Sequence, residues 1–231
     1  MKKKKEYLPS LSMNKKILAI ETSATVCGVA VWQSAEKNVQ IILRESRAHA
    51  SKIIPLVETV LTQSKLSIND IDAVAVSSGP GSFTGLRIGM SAVKGLCAGS
   101  KIPMIKVPTF DASAMEVSAR LMDGSKFAVM SKVNSTEYYC AQFEVQKNSY
   151  IKMKDITIYS ELEAAAVLAE IDYYAAAANW FNSPKYLNLE CPSPVFIAQW
   201  AIMNGEEICA DDIDLVEPDY YKEFVILRKK Q

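Results

Sequence analysis

Four of the nine glycines in this 231-residue chain fall between positions 79 and 89, inside SSGPGSFTGLRIGM at residues 77–90. Each interior glycine costs a helix about 0.5–1 kcal/mol relative to alanine, so this density marks a backbone that something must approach closely. The segment joins an apolar, strand-like run, IDAVAVS at 71–77, to a stretch at 83–100 long enough for five turns of helix. A strand, a tight turn and a helix in succession form an α/β unit.

Such a turn invites a phosphate, yet neither named phosphate loop fits. The G-x-x-x-x-G-K-[S/T] pattern fails because the sixth position from Gly79 is Thr84 and no lysine follows. The G-x-G-x-x-G pattern fails because Gly79 and Gly81 are followed by a third glycine one residue late, at Gly85. A weaker anion site at the start of the helix stays open. Along the helix, Gly85, Gly89, Ala92, Leu96 and Gly99 recur at spacings of three and four, leaving one face nearly bare. Two explanations stand: tight packing on the chain's own sheet, or docking of another polypeptide with Ser82, Phe83, Leu86, Met90 and Val93 around the contact.

The remaining composition narrows the function. Lys plus Arg and Asp plus Glu both number 26, so no net field attracts a polyanion, and a primary nucleic-acid binder is not expected. The lysines at 2–5 and the basic run at 228–230 read as solvated terminal charge. Cys27, Cys97, Cys140, Cys191 and Cys209 are widely spaced without a C-x-x-C pair, as in a reduced, cytoplasmic protein. His49 is the single histidine, so neither a histidine metal cluster nor a Ser or Cys nucleophile with a histidine base is expected. Residues 1–14 lack the apolar core of a secretory signal and read as a loose extension, with Met13 a second possible start. No run approaches the ~18 apolar residues of a membrane span.

Periodicity predicts strands at 17–21, 26–32 and 39–44, a helix at 50–65, a strand at 71–77, the helix at 83–100 and a strand at 102–107. Strands at 127–133, 138–145 and 150–159, then a helix capped by Ser160, repeat that order. The repetition suggests two related α/β domains at 15–108 and 109–231. Ala175 to Ala178 reads as strand or helix, 194–204 as helix and 218–221 as extended. Asp70 and Asp72 read as solvated turn residues.

Three stretches, ILAIETSATVCGVAVW, HASKIIPLVETVL and SSGPGSFTGLRIGMSAVKGLCAGSKIPMIKVPTFDA, resemble the bacterial TsaB (YeaZ-like) family. EYYCAQF and EPDYY are similar to its E-V-Y and P-x-Y segments. The resemblance implies an actin, Hsp70 and sugar-kinase type of fold. It also implies a non-catalytic subunit in threonylcarbamoyladenosine synthesis at position 37 of tRNA, bound to a TsaD-like catalytic paralogue. A TsaE-like ATPase, a homodimer of the chain alone, indirect contact with tRNA and a nucleotide at the partner interface belong to the same expectation; no cofactor of its own is expected.

The paralogue's two metal-holding histidines fall here on Thr109 and Ser113, so no metal is expected. Thr22, Ser23 and Ala24, with Gly79 and Gly81, correspond to vestigial phosphate loops or, without a ligand, to polar turns. Lys132-Val133-Asn134 departs from the family's D-A-R, and the alanines at 175–178 from its G-x-G. Two alternatives remain: a small-molecule kinase or ATPase of the same fold using the turns at 22–25 and 79–82, and a degenerate paralogue serving another partner.

Overall fold

The first three apolar runs form an antiparallel meander of β1 (Ile17–Glu21), β2 (Cys27–Trp32) and β3 (Asn38–Leu43). The computed structural model describes residues 15–45, 49–147, 149–209 and 212–222. The expected extension at 1–14 and both basic runs lie outside these residues, as does the His49 side chain. After α1 (His49–Ser64), β4 (Ala73–Gly79) lies parallel to β1, with Ile17 opposite Ala73. Helix α2 (Phe83–Ser100) then crosses to β5 (Met104–Pro108), parallel to β4.

Side-chain alternation along β1 shows why this sheet is covered twice. Leu18 and Ile20 point to a core shared with Val57 and Val60 of α1 and Met90, Val93 and Cys97 of α2. Ile17 and Ala19 point the other way, to Ile197, Ala198 and Ala201 of α5 (Pro194–Asn204). Pro194 sits so close over Gly28 of β2 that a Cβ there would stand 2.6 Å from its Cγ.

Between the sheets runs α3 (Thr109–Ser118), every residue of which is buried. Periodicity does not announce this helix, because a helix covered all round shows no polar stripe. Phe110, Ala114 and Val117 pack on Phe127, Val129 and Phe143 of the second sheet, while Ala112 joins the α5 core. The second sheet holds β6 (Lys126–Lys132), β7 (Glu137–Gln146), β8 (Ser149–Ser160), β9 (Tyr173–Ala176) and β10 (Tyr186–Asn188). Helix α4 (Glu161–Val167) precedes β9, and a capping box between Ser160 and Glu163 fixes its start. The alanines at 175 and 176 are strand; those at 177 and 178 belong to the connection to β10.

The first sheet runs β3-β2-β1-β4-β5, with β11 (Glu207–Ile208) outside β5, and the second runs β8-β7-β6-β9-β10. Each is an antiparallel meander whose first strand pairs in parallel with the fourth. The tail does not follow a division at residue 108. Helix α5 and β11 return to the first sheet, and residues 219–222 run between the two halves.

Candidate functional site

The glycine segment is locked to the β1–β2 turn of its own chain. Ser82 caps α2 by accepting from the Gly85 amide at 3.2 Å, and its own amide donates to the Ser23 carbonyl at 2.6 Å. The Thr22 carbonyl lies against Gly85 and its hydroxyl against Gly89, so a Cβ at either glycine would overlap Thr22. Gly81 lies against Ser23 in the same way.

Of the two explanations, packing within the chain accounts for Gly85 and Gly89. Gly85, Leu86, Gly89, Met90 and Val93 are buried within the chain, and the bare stripe serves Thr22. Of the other residues expected at a partner, Ser82 is exposed, while Phe83, Ala92 and Leu96 are half-buried. The outer face of α2 carries Ser91, Gly95 and Ala98, with nothing within 4 Å of a Cβ placed on Gly95 or Gly99.

A cleft of about 1000 Å³ opens between the sheets. Ser23, Ala24 and Gly81 line one wall; Lys132, Asn134 and Trp180 line the other; Thr109 and Ser113 of α3 lie at its base. Thr22 does not reach it: its buried hydroxyl has no hydrogen-bond partner and abuts Gly89. Lys132 projects over Tyr138 and Trp180, 5.7 and 5.5 Å from the ring centroids.

Residues 219–222 cross this cleft as a strap, tied first to the first half and then to the second. The Asp219 amide donates to the Ser78 carbonyl at 2.7 Å. Its carboxylate accepts from the Ser78 hydroxyl and from the Lys106 ammonium, each at 2.6 Å. Arg87 donates to the Tyr220 hydroxyl at 2.9 Å and stacks over Phe83, whose ring meets Tyr220 at 5.2 Å. On the far side Tyr221 contacts Tyr139 and Lys222 pairs with Glu137. Burial is the main cause holding the Tyr221 hydroxyl up at about 12. The sequence marks this segment as extended and as similar to the family's P-x-Y, but not its contacts; Asp219 and Ser78 are 141 positions apart.

Behind the β1–β2 turn, Glu21 is wholly buried, which raises its carboxyl to about 7 against the hydrogen bond from the Ser23 amide. Burial likewise raises Glu116, which accepts from the Ser193 amide at 2.7 Å and pairs with Arg120. Asp111 is a structural group, accepting from Tyr150 and Lys152 of β8 at 3.2 and 2.8 Å.

Thr109 and Ser113 do not fit a transition metal. Both are neutral hydroxyls, and that of Thr109 accepts from the Gly79 amide at 3.0 Å. Among the described residues no group of three His, Cys, Asp or Glu side chains is placed to hold a metal ion, and no helix is long and apolar enough to cross a membrane.

Two sheets that share one order over five strands, the first with β11 added at its edge, lie on either side of one cleft, as in an α/β protein of the actin, Hsp70 and sugar-kinase type. Residues 43–211 match the family model described as TsaD: tRNA N6-adenosine threonylcarbamoyltransferase. The chain is 36% identical over 133 residues to the tRNA threonylcarbamoyladenosine biosynthesis protein TsaB of Escherichia coli K12, covering 58% of this chain and 57% of that protein. It is 32% identical over 178 residues to TsaB of Buchnera aphidicola subsp. Baizongia pistaciae, covering 75% and 79%. A crystal structure from Pseudomonas aeruginosa, of an uncharacterized protein with similarity to peptidase YEAZ, superposes with a TM-score of 0.75 at 22% identity, covering 90% of this chain and all of that one. The chain belongs to the TsaB/YeaZ family. Its match spans little more than half of the Escherichia coli protein's length.

Proposed function

We propose that the chain is a non-catalytic partner subunit in the synthesis of threonylcarbamoyladenosine on tRNA, docking a TsaD-like catalytic subunit on the outer face of α2. The observation that carries this reading is the exposed, side-chain-poor stripe of Ser91, Gly95 and Ala98, flanked by half-buried Ile88, Ala92 and Leu96. Helix α1, which packs against α2, exposes Ile54 to 42%. Small residues let a second backbone come close, and the apolar rim gains from burial. The same face serves a homodimer when the chain is alone. A TsaE-like ATPase and tRNA join through the complex, and any nucleotide sits at the subunit junction.

Gly95→Leu tests this reading. A Cβ there meets nothing within 4 Å, so the monomer should be at least as stable as wild type while capture of a TsaD-like subunit from the same organism falls at least tenfold. Undiminished capture by a folded Gly95→Leu protein would overturn the proposed face. Turnover of threonylcarbamoyl transfer by the chain alone would overturn the non-catalytic role.

A further inference from the structure

We propose that a small cavity behind the β1–β2 turn binds a free amino acid as its zwitterion, the ammonium on the buried carboxylate of Glu21 and the carboxylate toward the guanidinium groups of Arg44 and Arg120. The site does not depend on the docking proposed for α2.

The cavity, of about 200 Å³, lies among the end of β1, Arg44 just past β3, Glu116 of α3 and the segment 188–194 that leads into α5. Leu189 and Glu190 border both it and the larger cleft. Its charged groups are graded by depth. Glu21 is wholly buried; one carboxylate oxygen accepts from the Ser23 amide, and the other, Oε2, has no hydrogen-bond partner. Side-chain exposure then rises from 6% at Glu116 and 21% at Glu190 to 61% at Arg120 and 73% at Arg44. Carboxylates stand inside and guanidinium groups stand at the rim.

The charges do not cancel. Arg120 pairs with Glu116 and Arg44 with Glu190 at 3.3 Å, which leaves Glu21 as a third carboxylate without a counter-charge. Burial, followed by the charges of Glu21, Glu190 and Glu116, raises the Cys191 thiol on the same wall far above its ordinary value, so the interior is a negative place. A buried acceptor without a donor is unfavourable, and a guest ammonium supplies donor and charge together. A metal ion needs a ligand cluster that the described residues do not offer, whereas an ammonium needs only acceptors. At the rim each guanidinium carries five N–H donors in a fork that matches a carboxylate, and among the described residues each gives one of them to its glutamate. A simple amine would have to pass these cations, and a simple carboxylate would meet the charge of Glu21. A guest bearing both groups suits both ends, and Val26 and Ile42 offer apolar wall to its side chain.

The experiment titrates L-alanine into the full chain at pH 8, where Glu21 is mostly ionised, and follows the methyl NMR signals of Val26, Ile42 and Leu189. Ethylamine and propionate, each carrying one of alanine's two charged groups, are titrated beside it. Alanine should shift these methyls to saturation, and each single-charge probe should bind at least tenfold more weakly. Glu21→Gln keeps an acceptor for the Ser23 amide and removes the charge, so alanine should bind it at least tenfold more weakly than wild type. Arg44→Gln combined with Arg120→Gln should erase the preference for alanine over ethylamine. The proposal is overturned by the absence of saturable alanine binding, by equal affinity for ethylamine or for propionate, or by undiminished binding to a folded Glu21→Gln protein. Should Glu21→Gln not fold, the wild-type probe comparison and the arginine variant decide: a preference for alanine that survives loss of both guanidinium groups refutes the site.

Discussion

Thr22 and the glycines of α2 form one fitted joint, and the two kinds of glycine in that helix should respond oppositely to the same methyl group. At Gly89 an added Cβ gains about 0.5–1 kcal/mol of helix propensity but overlaps the buried Thr22 hydroxyl, an overpacking that costs about 1–3 kcal/mol. Gly89→Ala should therefore lower stability in urea melts. Gly95→Ala, facing open space, should raise it by about 0.5–1 kcal/mol. Glu21 supplies a second test at this scale. Its carboxyl is raised from 4.5 to about 7 in the folded chain, so its contribution to stability is complete below pH 4.5 and is lost as pH rises through 7. Glu21→Gln keeps an oxygen for the Ser23 amide and removes the titration. The two proteins should match near pH 4, and by pH 8 the variant should be the more stable by roughly 3 kcal/mol in pH-dependent denaturant melts.

The elements were legible wherever one face differs from the other. The expected helices at 83–100 and 194–204 match α2 and α5 end for end, and the expected meander matches β1 to β3 within a residue or two. Helix α3 was not legible, because Thr109, Asp111, Ser113 and Glu116 are all buried by contacts that lie far off in sequence. The joint was half legible for the same reason. Glycine density announces a close approach, but only the folded chain places Thr22 against residues more than sixty positions later. Contact between α5 and β2 depends on a comparable fit. Gly28→Ala would drive a Cβ into Pro194, so stability should fall by about 1–3 kcal/mol and amide exchange should quicken across 194–204. At α4, Ser160→Ala removes a reciprocal cap and should cost about 1 kcal/mol, read as a lower denaturation midpoint.

Across the whole molecule, the first sheet depends on a helix that arrives after the second sheet is complete. Val195, Ile197 and Ile202 of α5 bury apolar area worth about 1.5–3 kcal/mol each, a sum comparable with the 5–15 kcal/mol that holds an ordinary domain together. A chain ending at residue 193 should bind a hydrophobic dye and lose its near-ultraviolet circular dichroism while keeping much of its far-ultraviolet signal. The matching strand orders conceal one asymmetry. In the first sheet α2 bridges the parallel strands β4 and β5, whereas β9 and β10 are joined by residues 177–185 with no helix. Trp180 and Phe181 of that connection pack beside Tyr174 and Tyr186 instead. A molecule doubled in plan thus has a long helix between its last two parallel strands in one sheet only, so the surface proposed for a partner occurs once per chain among the described residues.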